Sequence, residues 1–202
     1  MASAGTLVWL VDADALDAAA LASYAGWLGA SEQVRCARFV RAGRRRQFIV
    51  GRALLRLALG RLLGVAPEGI ALTERPGQAP LLASPRFAGF SISHSGRWVA
   101  CGASLETALG LDIERIDPAR DVMALAQQAF PAHDVDLLQA CAPDALHATF
   151  YRMWCRHEAR IKLGAMANME YPVHIPGLAG MLACAAPLDA APALELVRLQ
   201  DL

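Results

Sequence analysis

The stretch LGLDIERI, residues 109–116, sets two carboxylates inside an apolar run. Read as a strand, it sends Leu111 and Ile113 to one face and Asp112 and Glu114 together to the other, because successive side chains alternate. Two anions side by side on a half-buried face repel each other unless something positive lies between them. From these two residues alone, a solvated edge-strand face and a magnesium site both remain open.

Working outward, FSISH (90–94) alternates apolar and hydroxyl residues, and WVACGAS (98–104) reads as a further strand. With short loops between them, these runs and 109–116 predict a small antiparallel meander. Upstream, TLVWLVD (6–12) is an opening strand, SEQVRCARFV (31–40) carries a polar start and a basic stripe, and helices are predicted at 16–28 and 44–64. The last of these carries apolar residues at helical spacing with arginines on its other face, and Gly64 and Pro67 stop it. Downstream, Asp117 and Pro118 open a helix that Pro131 ends; Pro143 and Asp144 open a longer one, closed by Gly164. Weak strands at 180–186 and 193–199 complete the chain, with no internal repeat visible. The reading is an α+β fold of two halves, 1–105 and 106–202.

The 202 residues are enough for one large or two small domains with real cores. The apolar run at 53–65 is broken by Arg56 and Arg61, so no membrane span is expected. A start without a basic segment, reaching Asp12 and Asp14 early, argues against a signal peptide. Five cysteines without CxxC spacing read as reduced thiols, making a zinc site improbable and a cytoplasmic location the expectation.

Net charge is zero, but its distribution is uneven. Nine arginines lie between Arg35 and Arg61 with no carboxylate among them, either a solvated helix face or a platform for anions. Lys162 is the only lysine in the chain.

Two more segments bear on chemistry. In WCRHEARIKLG (154–164), Glu158 and Lys162 share a helix face, as an exposed ion pair or as a metal ligand with a phosphate counter-charge. In SISHSGRW (91–98), His94 sits between two serines just before Gly96. It is either a structural histidine or part of a turn where hydroxyls, backbone N–H groups and imidazole meet an anionic oxygen.

Taken in order, FSISHSGRWV, LGLDIE and WCRHEARIKLG resemble the 4′-phosphopantetheinyl transferases of the Sfp type. Their pattern is a strand ending in SHS, a G-(I/V)-D-x-E strand and a W-x-x-KEA-x-x-K helix. The basic segment through GRALLR and the GQAPL turn extend the resemblance over roughly residues 31–164. It implies two similar α/β subdomains in a pseudo-twofold arrangement, each with a small, mainly antiparallel sheet on helices and with coenzyme A in the cleft between them. It also implies Mg²⁺-dependent transfer of phosphopantetheine from coenzyme A to a serine of an acyl or peptidyl carrier protein, leaving 3′,5′-ADP.

Carried over, Asp112 and Glu114 hold Mg²⁺, and Glu158 is a third ligand or the base for the serine hydroxyl. Lys162 neutralises the pyrophosphate, and Ser93 and His94 contact a coenzyme A phosphate. Arg35 is a further phosphate contact, while Arg75, Gly77 and Gln78 border the nucleotide. Neither nucleic acid nor membrane is an expected partner, and the chain is expected to be a monomer.

The chain departs from the pattern at three places. His157 replaces the KEA lysine, GQAP replaces a GKP turn, and LGAMANMEYP follows Lys162 where a GxG-like turn is usual; the short tail further predicts a reduced second sheet. The alternative is a non-catalytic relative that binds coenzyme A or a carrier protein. A nucleic-acid-binding module on the arginine-rich helix fits poorly with zero net charge.

Overall fold

The computed structural model describes residues 5–75, 77–83 and 89–202, apart from the side chain of His174. The first sheet forms from β1 (Thr6–Asp12), β4 (Gly89–Ser95), β5 (Trp98–Ser104) and the short β9 (Leu194–Leu196) in the order β4-β5-β1-β9. Between β1 and β4 run α1 (Ala18–Ala25), α2 (Ala30–Ala37) and the long α3 (Ala42–Leu63). A two-stranded ribbon of β2 (Leu72–Thr73) and β3 (Leu81–Leu82) follows them.

The second sheet has the order β6-β8-β7, from β6 (Leu109–Arg115), β7 (Met169–Ile175) and β8 (Leu178–Cys184). Its helices are α4 (Val122–Ala129), α5 (Ala132–Gln139) and α6 (Pro143–Leu163). Strand, three helices and hairpin thus occur twice in the chain. The strand order β4-β5-β1 is repeated as β7-β8-β6, every one of these pairings antiparallel.

These elements stack in four layers. Trp9, Val11, Val99 and Cys101 face α3 from one side of the first sheet. On its other side, Val8, Leu10 and Ala100 pack on Leu109, Leu111, Ile113 and Leu182 of the second sheet. Ala179, Met181 and Ala183 on the far side of that sheet meet Phe150, Tyr151, Cys155 and Ala159 of α6. Gly110 lets α6 approach, since a Cβ there would sit 2.0 Å from the Ala159 carbonyl oxygen.

The expected meander is not formed. β5 pairs on its free edge with β1 along its whole length, so β6 cannot join it and instead becomes the edge of the second sheet. β6 runs alongside β4 in the same direction, joined through side chains. The Ile113 N–H donates to Ser93 Oγ (3.2 Å) and the Arg115 N–H to Ser95 Oγ (2.9 Å). The alternating serines thereby satisfy backbone donors that an edge strand would otherwise leave unpaired.

Other differences have local causes. Asp117 caps only a turn, its carboxylate accepting from the Ala119 N–H, whereas Asp121 caps α4. Strand β7 contains Pro172, which lowers strand expectation from sequence, but an edge strand tolerates the missing N–H. The second sheet repeats β4, β5 and β1 as β7, β8 and β6 but has no counterpart of β9 among the described residues, so it is one strand smaller than the first, as expected. The long helices α3 and α6 end as expected, with Gly64 and Gly164 in the left-handed region. The C-terminal tail returns to the first unit, where β9 pairs parallel with β1 and Leu199 enters its core.

Among the described residues, no helix is long and apolar enough to cross a membrane. All five cysteines are free thiols.

Candidate active site

Asp112 and Glu114 do share a face of β6, but the solvated-face reading fails: Asp112 is only 4% exposed. The positive group beside it is Lys162. From the last turn of α6 its Nζ donates to Asp112 Oδ1 (2.7 Å), Ser93 Oγ (3.0 Å) and the Leu111 carbonyl (3.1 Å). Lys162 does not form the expected helix-surface pair with Glu158. Its long stem reaches the neighbouring strand, where a buried anion attracts it more strongly than the half-buried Glu158 does.

Ser93 Oγ in turn donates to Asp112 Oδ1 (2.8 Å), so one junction ties β4, β6 and α6 together. The other oxygen of Asp112, Oδ2, is buried with no hydrogen-bond partner among the described residues. Glu114 accepts from Ser95 Oγ (2.6 Å), and burial pushes its carboxyl above the usual range. An unpartnered buried carboxylate oxygen with a second carboxylate on the same face fits Mg²⁺, which commonly takes one or two carboxylates and completes its shell with water and phosphate. Glu158 is half-buried on α6; among the described residues it has no partner, and no three His, Cys, Asp or Glu side chains gather as a metal-holding group.

Cys155 faces this junction as an inert thiol. Burial and then the Asp112 carboxylate push its ionisation far up, and Sγ donates to the Ala179 carbonyl (3.5 Å).

Beside the junction opens a cleft of about 750 Å³. One wall comes from α2, α3, β4, Arg75 and residues 77–80 of the first unit, the other from Ile161, Lys162 and Gly164 at the end of α6. Arg35, Arg75, Gly77, Gln78, His94 and Lys162 all line it; Ser93 reaches it through Lys162, while Asp112, Glu114 and Glu158 stand outside the lining. Arg44 and Arg52 add two cations, and among the described residues no carboxylate lines the cleft.

Arg52 and Arg56 correct the view of a solvated arginine face. Arg56, 1% exposed, forks onto the fully buried Glu32, and Arg52 bonds Glu74 and lies 3.2 Å from Glu32. Arg35 also pairs with Glu74, and the guanidinium groups of Arg35 and Arg52 both lie over the Phe48 ring, at 5.5 and 4.9 Å. These pairs hold the cleft wall rigid. Gly77 takes the left-handed conformation its turn requires, and Arg75 Nε donates back to the Ala79 carbonyl (3.0 Å).

His94 accepts at Nδ1 from Arg44 Nη1 (3.0 Å). Burial, and next Arg44, hold the imidazole below its ordinary range. His157 lies exposed on α6, edge-on to Phe130 at 6.2 Å. Arg44, Phe48 and Arg52 are cleft residues that sequence reasoning did not single out; the arginine run was the signal, but the face each one takes depends on packing.

Residues 18–106 match the family described as 4′-phosphopantetheinyl transferase, N-terminal, and residues 108–168 match the 4′-phosphopantetheinyl transferase superfamily. The chain belongs to this superfamily. It is 32% identical over 146 residues to 4′-phosphopantetheinyl transferase HetI of Nostoc sp. (strain PCC 7120), covering 70% of this chain and 61% of that protein. It is 30% identical over 135 residues to a 4′-phosphopantetheinyl transferase of Bacillus subtilis, covering 67% and 59%. With 4′-phosphopantetheinyl transferase Sfp of Bacillus subtilis (strain 168), it shares 26% identity over 139 residues, covering 69% and 61%. The chain thus spans about three-fifths of the length of these relatives.

Proposed function

We propose that this protein transfers 4′-phosphopantetheine from coenzyme A to a serine of an acyl or peptidyl carrier protein, with Mg²⁺, releasing 3′,5′-ADP. The observation that carries this reading is the junction of Lys162, Ser93 and Asp112 beside a basic cleft. Phosphoryl transfer depends mainly on positioning and charge neutralisation, and these residues supply both.

In this reading Asp112 and Glu114 hold the metal, with Glu158 as third ligand or as the base that takes the serine proton. Bound Mg²⁺ would neutralise pyrophosphate oxygens and polarise the phosphorus under attack. Lys162 presents its ammonium to the pyrophosphate, while Arg35, Ser93 and His94 hold coenzyme A phosphates. Arg75, Gly77 and Gln78 border the nucleotide. The serine oxygen forms the new bond to phosphorus as the bond to the 3′,5′-ADP oxygen breaks, and Glu158 accepts the hydroxyl proton. The repeated strand–helix–hairpin order supports two subdomains, 1–105 and 106–202, about a pseudo-twofold axis. The protein is read as a cytoplasmic monomer, with no nucleic-acid or membrane partner.

Incubation with coenzyme A, Mg²⁺ and a panel of apo carrier proteins, followed by intact-mass measurement, tests the proposal. A phosphopantetheine-sized gain, lost in Asp112→Ala and Glu158→Gln, is expected. Binding of coenzyme A with no gain on any carrier would instead support a non-catalytic relative.

A further inference from the structure

We propose that Arg44 is a positioning residue that fixes the tautomer of His94, so that the imidazole meets its ligand as a neutral Nε2–H donor. The inference rests on the proposed function only for what that ligand is; the tautomer itself is a property of the free protein.

A guanidinium has five donors and no acceptor, so the 3.0 Å contact between Arg44 Nη1 and His94 Nδ1 has one polarity. Nδ1 accepts. It therefore carries a lone pair, and the neutral ring keeps its proton on Nε2. Because His94 lines the cleft, that N–H is left to a ligand there. Arg44 is itself held in place. Its Nη1 also donates to Gln47 Oε1 (3.1 Å), and Gln47 Nε2 donates to the Gly96 carbonyl (2.5 Å). The first turns of α3 thus clamp the β4–β5 turn that presents His94.

The charged groups facing the ring act together. Burial opposes its protonation most, Arg44 on α3 and Lys162 on α6 act in the same direction, and a backbone hydrogen bond and Asp112 on β6 favour it. A neutral donor suits this site because Arg35, Arg52, Arg75 and Lys162 already supply cationic charge to the cleft. A fixed N–H contributes direction rather than more charge, which selects where a phosphate oxygen sits.

Two measurements decide the matter. The first uses ¹⁵N–¹H long-range spectra of the imidazole in free protein at pH 7.5. Wild type is expected to show the Nε2–H tautomer for His94, and Arg44→Leu a mixture of tautomers with a midpoint of protonation moved upward. Arg44→Lys, which keeps a charged donor, should restore the wild-type pattern in part. An Nδ1–H tautomer in wild type, or spectra unchanged in Arg44→Leu, would overturn the proposal. This readout is independent of whether the protein transfers phosphopantetheine.

The second is coenzyme A binding by calorimetry in a double-mutant cycle with His94→Asn. Arg44→Leu is expected to weaken binding about tenfold, the size of one lost hydrogen bond to a charged group. In the His94→Asn background the same change should have little further effect. An equal loss in both backgrounds would mean that Arg44 acts on the ligand directly, and the positioning role would fall.

Discussion

Arg56 and Glu32 form a buried ion pair whose worth lies in the partners being present together. Arg56→Met leaves the buried Glu32 carboxylate with Arg52 but without its forked partner, and breaking a buried pair in this way costs about 3 kcal/mol. The double variant Arg56→Met, Glu32→Gln is expected to recover much of that loss; urea denaturation of the three proteins measures it. His94 supplies a pH dependence with a definite sign. Its folded-state ionisation lies below the unfolded value near 6.5, so in that window the unfolded chain binds more protons. Stability is therefore complete above about pH 6.5 and falls as pH drops towards the folded value. His94→Asn is expected to lose less stability than wild type between pH 7.5 and 5, and parallel curves would contradict the burial argument. Each of these residues is visible in the sequence, but its partner is not. Arg56 lies 24 residues from Glu32 and Arg44 lies 50 from His94.

At the scale of elements, the contact between α6 and β6 decides where Lys162 stands. Gly110→Ala would place a Cβ 2.0 Å from the Ala159 carbonyl oxygen and 2.5 Å from the Leu163 nitrogen, both backbone atoms of α6. Relief requires the helix to move, at a cost of about 3 kcal/mol, and that movement would draw Lys162 away from Asp112. Gly43→Ala, with nothing within 4 Å of the new methyl group, is the matched control and should stabilise α3 by up to about 1 kcal/mol. Thermal melts of the two variants should shift in opposite directions. The helices themselves were legible, since Pro143, Gly64 and Gly164 mark their ends. Strand β7 and helix α5 were not. Pro172 counts against a strand, and the eight-residue α5 has only Leu138 buried, so its apolar pattern is faint.

For the molecule as a whole, the two units are joined by the sheet-to-sheet core, by the serine-mediated seam between β4 and β6, and by the returning tail. Truncation after Ala186 tests the last of these. It removes the partner of the Trp9 indole (Glu195, 3.2 Å), the carbonyl that accepts from the Tyr24 hydroxyl (Leu199, 2.9 Å) and the buried Leu199 side chain. It also removes buried Leu188, whose N–H donates to the Tyr171 hydroxyl, and the pairing of β9 with β1, so losing two buried leucines, three hydrogen bonds and a strand pairing is expected to lower the melting temperature by at least about 10 °C. An unchanged melt would show that the first unit does not depend on the tail.

The amino-acid order by itself determined the two long helices, the strand periodicity of 90–94, 98–104 and 109–115, and the shared direction of Asp112 and Glu114. These depend on spacing along one element, and periodicity and caps are local. It also carried the three motif segments that resemble the transferases. Only the tertiary structure decided that β6 leaves the first sheet, that Arg52 and Arg56 are buried, and that Lys162 answers Asp112 instead of Glu158. Each of those depends on which distant segment fills a sheet edge or faces a buried charge, and such competition is settled by packing across the whole chain.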